Sequence, residues 1–223
     1  MIFLYNEDAG RELLKLRGED HKYLIKVRRH KAGDTLHLRS ENDPHALHTY
    51  TITDVTPREL FLELQKSEHK EVIPHKRLHI GWCMIDPKSI EKALPSLNEI
   101  GVAKISFIYC ARSQKNFKPD FKRLHRILRS SNQQCGRSSF MEFSVYHDIR
   151  SFLETYPDVK VFDFCENVSE EQSGFEDVLI GCEGGFSPEE KTLLSQKEVF
   201  RLDTPLVLRS ESAACAVAAK ILL

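Results

Sequence analysis

The sequence has no CxxC pair, no long apolar run and no excess of charge of one sign, and each absence removes a class of protein. Its longest uninterrupted apolar stretch, Ala213–Ala219, falls far short of the roughly 20 residues that a membrane-crossing helix needs. The opening residues, Met1-Ile-Phe-Leu-Tyr-Asn-Glu-Asp, carry acids where a secretory signal peptide carries lysines. Six cysteines (Cys83, Cys110, Cys135, Cys165, Cys182 and Cys215) lie scattered, mostly in apolar runs, with no histidine at ligand spacing. Reduced core thiols of a cytoplasmic protein are therefore expected, and no metal. Neither GxxxxGK[ST] nor GxGxxG occurs, which argues against a P-loop or an ordinary dinucleotide fold.

What remains is a globular chain. Its 223 residues suit one large domain or two modest ones. Hydrophobic residues make up 41%, so disorder and collagen-like structure are excluded. A fold of this length hides roughly 70–75% of its unfolded surface and needs no covalent staple.

The net charge of −1 conceals a strong asymmetry. Residues 1–70 are balanced, 71–150 carry a net +7, and 151–223 carry a net −8. A basic segment inside a neutral chain points to a local polyanion site. Between Arg112 and Arg137 stand eight basic residues, including Lys115 and Lys118, against the single acid Asp120. Pro119 can open a helix there and Gly136 can close it. Phe121, Leu124, Ile127 and Leu128 recur at helical spacing and should face the core, leaving Lys122, Arg123, Arg126 and Arg129 toward solvent. Such a face is either merely solvated or a phosphate contact; the near-absence of acids keeps the second reading open. A second cluster, His21–Lys31, contributes Lys22, Lys26, Arg28 and Arg29.

Two rhythms divide the chain. Up to residue 70 it reads as β-rich: Thr35–Arg39, Leu47–Val55 and Leu60–Leu64 alternate apolar with polar side chains, as in a compact barrel. Ser67–Lys76, polar and holding Pro74, is the candidate linker. Residues 71–223 alternate strand and helix, which argues an α/β domain with a mostly parallel sheet. Asp86-Pro87 starts a helix that Pro95 should kink and Gly101 should stop. Strands are expected at Leu78–Met84, Lys104–Cys110, Phe140–Tyr146, Val159–Phe164, Asp177–Cys182 and Glu198–Leu202. Ser187-Pro-Glu-Glu combines an N-cap, a first-turn proline and a capping box. Ser210–Leu222 reads as a buried alanine-rich helix.

Two loops could carry chemistry. Val178-Leu-Ile-Gly-Cys-Glu-Gly-Gly-Phe-Ser-Pro-Glu-Glu runs from a strand through a glycine-rich turn into a helix start. Its acids would repel a triphosphate, so a neutral or cationic ligand fits better. Arg201-Leu-Asp-Thr-Pro-Leu-Val-Leu-Arg-Ser-Glu-Ser-Ala-Ala repeats the pattern, with Arg209 and Glu211 at the helix junction. Structurally, Glu211 there could simply favour the helix dipole, with Arg209 as its ion partner.

These segments resemble a known family. Ile180-Gly-Cys-Glu-Gly-Gly-Phe-Ser-Pro-Glu-Glu looks like GPEGGFSPEE, and Leu208-Arg-Ser-Glu-Ser-Ala looks like LRTETA. Glu99-Ile-Gly-Val, Ala111-Arg-Ser and Gln134-Cys-Gly-Arg are similar to ELGV, ERS and QSGR. The order and spacing match the RsmE-type small-subunit ribosomal RNA uracil-N3 methyltransferases of the SPOUT superfamily. Cys182 stands where the family has proline, Thr204 and Leu206 replace a glycine and an arginine, and Gln133 replaces an acid.

The resemblance implies an N-terminal PUA-like β-barrel over 1–70 and a C-terminal trefoil-knotted α/β methyltransferase domain over 71–223. It implies a homodimer, with 16S ribosomal RNA or the small ribosomal subunit as partner and no membrane. S-adenosyl-L-methionine would be held by Phe164, by Gly181, Glu183, Gly184 and Gly185, and by Leu202, Thr204, Leu206, Leu208 and Ala213. Arg209, with Arg112 as second choice, would stabilise charge developing on the uracil oxygens; Glu211 or a water relay would take the N3 proton. Lys22, Lys26, Arg28, Arg29, Lys122, Arg123, Arg126, Arg129 and Arg137 would hold phosphates. A non-catalytic RNA-binding assembly factor is the rival reading, and a Rossmann-like metabolic enzyme a more distant one.

Overall fold

A computed structural model describes residues 2–113, 116–165 and 174–223. The chain forms two compact units: Met1–Ile73 with Asn132–Ser139, and Pro74–Ser131 with Phe140–Leu223.

The first unit is built on a five-stranded sheet in the order β1-β3-β4-β5-β2, comprising β1 (Leu4–Tyr5), β2 (Leu13–Arg17), β3 (Thr35–Arg39), β4 (Ala46–Val55) and β5 (Glu59–His69). Period-two alternation explains its core. Leu14 and Leu16, Leu36 and Leu38, Tyr50 and Ile52, and Leu60 and Leu62 turn inward from successive strands. β5 extends well past Leu64, so the first part of the expected linker is strand. Between β2 and β3 lie a short helix α1 (Gly18–Lys22) and a π-helical turn, Tyr23–Val27, which buries Leu24 and turns Lys26 outward.

The stretch 132–139 is held within this unit by long-range hydrogen bonds. The Gln133 carbonyl accepts from Ile2 at 2.7 Å, and its side-chain Oε1 accepts from the Tyr5 amide at 2.8 Å. Arg137 is only 6% exposed and its Nε donates to Ser139 Oγ. It is therefore a structural arginine, which corrects its expected place among the phosphate contacts.

The second unit holds a six-stranded, wholly parallel sheet in the order β11-β9-β10-β6-β7-β8. Its strands are β6 (His79–Cys83), β7 (Lys104–Ile108), β8 (Glu142–Tyr146), β9 (Lys160–Phe162), β10 (Asp177–Ile180) and β11 (Val199–Phe200). The helices are α2 (Pro87–Ile100), α3 (Phe121–Cys135), α4 (Ile149–Thr155), α5 (Pro188–Leu194) and α6 (Ser210–Leu222). Central strands covered on both faces read as continuous apolar runs, as β6 does with all five residues buried.

Local signals set the helix ends. Asp86 caps α2 by accepting from the Ser89 amide, and Gly101 closes it at φ 112°. α2 runs on through Pro95 as one helix. Asp120 accepts from the Arg123 amide at 3.0 Å, so α3 begins one residue after this cap. Ser187 and Glu190 form the expected capping box of α5. In α6, Ala213, Ala214, Val217, Ala218 and Ile221 are buried.

Two expectations are corrected. Phe121 does not join Leu124 and Leu128 in the core but is 44% exposed. Cys83 and Cys110 are joined in a disulfide, so not all the cysteines are reduced thiols. They close β6 and follow β7, adjacent parallel strands that bring the two Cα atoms within 5.9 Å. A separation of 27 residues carries no sign of that pairing.

Candidate active site

Ligands of parallel α/β sheets bind beyond the carboxyl ends of the strands, where loops diverge. Here the ends of β9, β10 and β11 converge on one cleft of about 140 Å³. The first loop brings Phe162, Asp163 and Phe164; the second brings Gly181, Glu183 and Gly185; the third brings Leu202, Thr204, Leu206 and Leu208, followed by Ala213 of α6. Nine of the ten residues assigned from sequence to ligand binding therefore line a single space.

Gly184, the tenth, does not line it and has another task. Its carbonyl accepts from Arg112 Nη1 at 2.6 Å. A Cβ on Gly184 would stand 3.2 Å from the Arg112 Cβ and 3.3 Å from its Cδ, so the arginine stem lies against bare backbone. Gly185 has φ +65°, a left-handed conformation that suits glycine.

Sequence reasoning missed Ser210 and Asp163. Ser210 is buried and its hydroxyl donates to the Gly181 carbonyl at 2.6 Å while accepting from the Trp82 indole at 2.8 Å. Its position inside the Leu-Arg-Ser-Glu-Ser-Ala match was the available signal. Asp163 faces Lys191 at 3.7 Å.

A second tie joins the Arg112 turn to the glycine loop. Glu190 is buried; its Oε1 accepts from the Ala111 amide at 2.7 Å and its Oε2 from the Ser187 amide at 2.8 Å. Beside it, the Ser187 hydroxyl donates to Glu189 and holds that carboxyl below its ordinary pKa. Burial raises the pKa of the Cys182 thiol, which keeps it protonated against the cleft.

Arg209 and Glu211 flank Ser210 at the start of α6. Arg209 is exposed, and among the described residues it forms no ion pair with Glu211, so the purely structural pairing is not made. Glu211 has one carboxylate oxygen buried without a hydrogen-bond partner among the described residues. An unpartnered buried oxygen is costly.

The cationic candidates divide. Lys26, Arg28 and Arg29 are exposed in the first unit, with Arg29 at φ 59°, and Lys22 is exposed but paired with Glu19 at 2.8 Å. In the second unit Lys122 and Arg126 are exposed and Arg129 is half-buried, whereas Arg123 is neutralised by Glu91 at 2.6 Å. Lys115 lies outside the described residues. No described helix is long and apolar enough to cross a membrane. No described group of three His, Cys, Asp or Glu is arranged to hold a metal ion.

A family model described as an RNA methyltransferase domain matches residues 73–222. Ribosomal RNA small subunit methyltransferase E of one Helicobacter pylori strain is 38% identical over 222 residues, covering 98% of both chains. The protein of the same name from a second strain is 37% identical over the same length and coverage. The chain belongs to the ribosomal RNA small subunit methyltransferase E family. Solved structures agree on the fold of this family member. Ribosomal RNA small subunit methyltransferase E from Neisseria gonorrhoeae, bound to S-adenosyl methionine, aligns with a TM-score of 0.75 at 18% identity, covering 98% of this chain and 95% of its own. A methyltransferase from Legionella pneumophila in complex with the same cofactor aligns with a TM-score of 0.77 at 22% identity and the same coverage.

Proposed function

We propose that this chain methylates N3 of a uridine in 16S ribosomal RNA, using S-adenosyl-L-methionine, and that it does so in the cytoplasm. The observation that carries this reading is the convergence of three strand-end loops on one cleft, in a chain of this family, with Arg112 bonded to the glycine loop and Arg209 and Glu211 next in sequence to the lining residue Ser210.

The residues present fit the cofactor. Apolar side chains from Phe162 to Leu208 suit an adenine, and the carboxylates of Asp163 and Glu183 suit ribose hydroxyls and cationic groups. Gly185 allows backbone to approach closely. Phe164, Gly181, Glu183, Gly185, Leu202, Thr204, Leu206, Leu208 and Ala213 would hold it, with Gly184 acting through Arg112. When bound, S-adenosyl-L-methionine supplies an electrophilic methyl group on a sulfonium.

The chain's own residues must then make N3 nucleophilic. Uracil N3 carries a proton, and its loss places negative charge on the imide oxygens. A guanidinium aimed at those oxygens lowers that cost, and exposed Arg209 is free to turn toward them. Arg112 is the alternative, but its Nη1 is already engaged by Gly184. Glu211, with an unengaged carboxylate oxygen, is suited to accept the proton or to order a water that does. The target base must leave any helix to reach such a site. Lys26, Arg28 and Arg29 on one unit, and Lys122, Arg126 and Arg129 on the other, would position phosphates.

The finer architecture belongs to the same proposal. A trefoil knot that threads the third loop against the second is part of this reading, and the Ser210 hydroxyl, bonded to the Gly181 carbonyl, holds those two loops together. The five-stranded sheet of the first unit supports a PUA-like barrel. Phe164, Leu206 and Val207 are each more than 70% exposed beside the cleft, which supports a homodimer that covers them.

Mass mapping of modified uridines in 16S ribosomal RNA from cells lacking this protein tests the reading. One methyluridine should disappear and return on complementation; an unchanged map sinks it. The assembly-factor alternative predicts no heat of binding with S-adenosyl-L-methionine, with or without RNA.

A further inference from the structure

The carboxyl edge of the parallel sheet carries a second cleft, at the ends of β7 and β8, to which the reaction assigns no role. Its volume is about 840 Å³, several times that of the first and within the range of roughly 300–1,000 Å³ typical of small-ligand sites. Tyr109 and Phe121 give it aromatic walls, and Lys118 and Arg150 stand among its lining residues, exposed. Phe121 is the residue that leaves the apolar stripe of α3, and its 44% exposure is what the cleft gains.

The two acids in this cleft, Glu190 and Asp148, serve as acceptors for backbone amides. Both carboxylate oxygens of Glu190 accept backbone amides, from Ala111 and Ser187. Asp148 caps α4 by accepting from the Ser151 amide at 2.8 Å. No ion pair is made by Lys118 or Arg150 with any described residue, so these two cations, with Asn116 and His147 and the aromatic faces, are left for a ligand. That combination is the one single-stranded nucleic acid requires: faces on which bases stack, and charge along the backbone. Glu190 also joins the two clefts, since the residues it bridges lead directly to Arg112 on one side and to the glycine loop on the other.

We propose that this second cleft holds an unstacked nucleotide of the RNA strand next to the methylated one, its base against Phe121 or Tyr109 and its phosphate at Lys118 and Arg150. The assignment rests on the RNA-methylating reading above and adds a strand-binding subsite to it. The cleft anchors the strand beside the reacting base, which reduces the freedom that must be lost to reach a productive geometry.

The test uses the full chain and a fluorescein-labelled 12-nucleotide oligouridylate, titrated by anisotropy over a series of salt concentrations. Phe121→Ala should weaken binding by about 5-fold or more, in line with the loss of one base–aromatic stack. The pair Lys118→Ala with Arg150→Ala should lower the slope of log K against log salt by about 0.7, the contribution of the one single-strand phosphate they share. S-adenosyl-L-methionine affinity by calorimetry should not move in either variant. Both side chains of the charge pair are exposed, so that variant remains informative should Phe121→Ala fail to fold.

Wild-type affinity and slope in the charge-pair variant overturn the assignment, as does failure of the wild-type chain to bind the probe at low salt. A variant with unchanged RNA binding but an altered mass in analytical ultracentrifugation also overturns it, because the cleft then takes a second copy of the chain. The two readings fail separately. Loss of probe affinity in the variants, from a wild-type chain that transfers no methyl group to 16S RNA, would support the cleft while removing the methylation.

Discussion

The Ser210 hydroxyl and the Gly181 carbonyl, 29 positions apart, meet at 2.6 Å, and the same hydroxyl accepts from Trp82 at 2.8 Å. This one side chain fixes the start of α6 to the end of β10 and to the central strand β6. Ser210→Ala would leave a buried indole N–H and a buried carbonyl without this partner. It should cost about 1–3 kcal/mol of stability, read from urea denaturation. Calorimetry should also show weaker S-adenosyl-L-methionine binding, because two of the three cleft loops lose their tie. Unchanged cofactor affinity would mean that packing alone holds the loops together.

Arg209 offers a cleaner separation of binding from chemistry. It is exposed, its side chain makes no cap to α6, and it does not line the cleft. Arg209→Ala should therefore leave folding and cofactor affinity nearly intact while lowering methyl transfer by about 100-fold or more, the usual loss on removing one group that stabilises developing negative charge. Turnover at the wild-type rate would pass that role to Arg112.

The Cys83–Cys110 link gives a count. Protein unfolded without reductant should show four titratable thiols of the six cysteines, and six after reduction. Cys83→Ser should lower stability by about 2–4 kcal/mol, the range for closing a loop of this kind. Six thiols before reduction would show both sulfurs to be free.

A pH dependence follows from His79. It is buried against Phe152 and Tyr156, with Nδ1 2.7 Å from Asp177 and Nε2 2.7 Å from Ser106. Burial pulls its pKa below the ordinary 6.5; Asp177 opposes this in part, while Lys104 and Arg77 add to it. The unfolded chain thus binds a proton near pH 6.5 that the folded chain refuses, so the unfolded state gains as pH falls. Thermal midpoints should drop between pH 7.5 and 5.5, and His79→Gln should flatten that drop. An equal slope in the variant would assign the effect to other groups.

Much of the fold was legible because its signals are local. Alternation marked β3 at Thr35–Arg39, a serine and a glutamate three residues apart marked the α5 cap, and the alanine-rich run marked α6 at Ser210–Leu222. Two of the three loops that line the cleft were legible for the same reason: glycines and helix starts declare themselves within a few residues.

Other outcomes depended on what each face meets. Periodicity placed Phe121 and Leu124 on one helix stripe, but only the sheet beneath α3 decided that Leu124 is buried and Phe121 opens onto a cleft. Charge counting put Arg137 with Arg126, yet one is enclosed beside Ser139 and the other is solvated. Local pattern was enough for most strands, for the caps of α2 and α5 and for the basic and acidic halves of the second unit, but not for β1, β2, α1 or α4. Strand order in the tertiary structure decided which distant residues touch: Cys83 with Cys110, Ser210 with Gly181, Glu190 with Ala111. The physical reason is that dihedral preference and side-chain periodicity act over one or two turns, whereas contacts across a parallel sheet join residues that no local pattern relates.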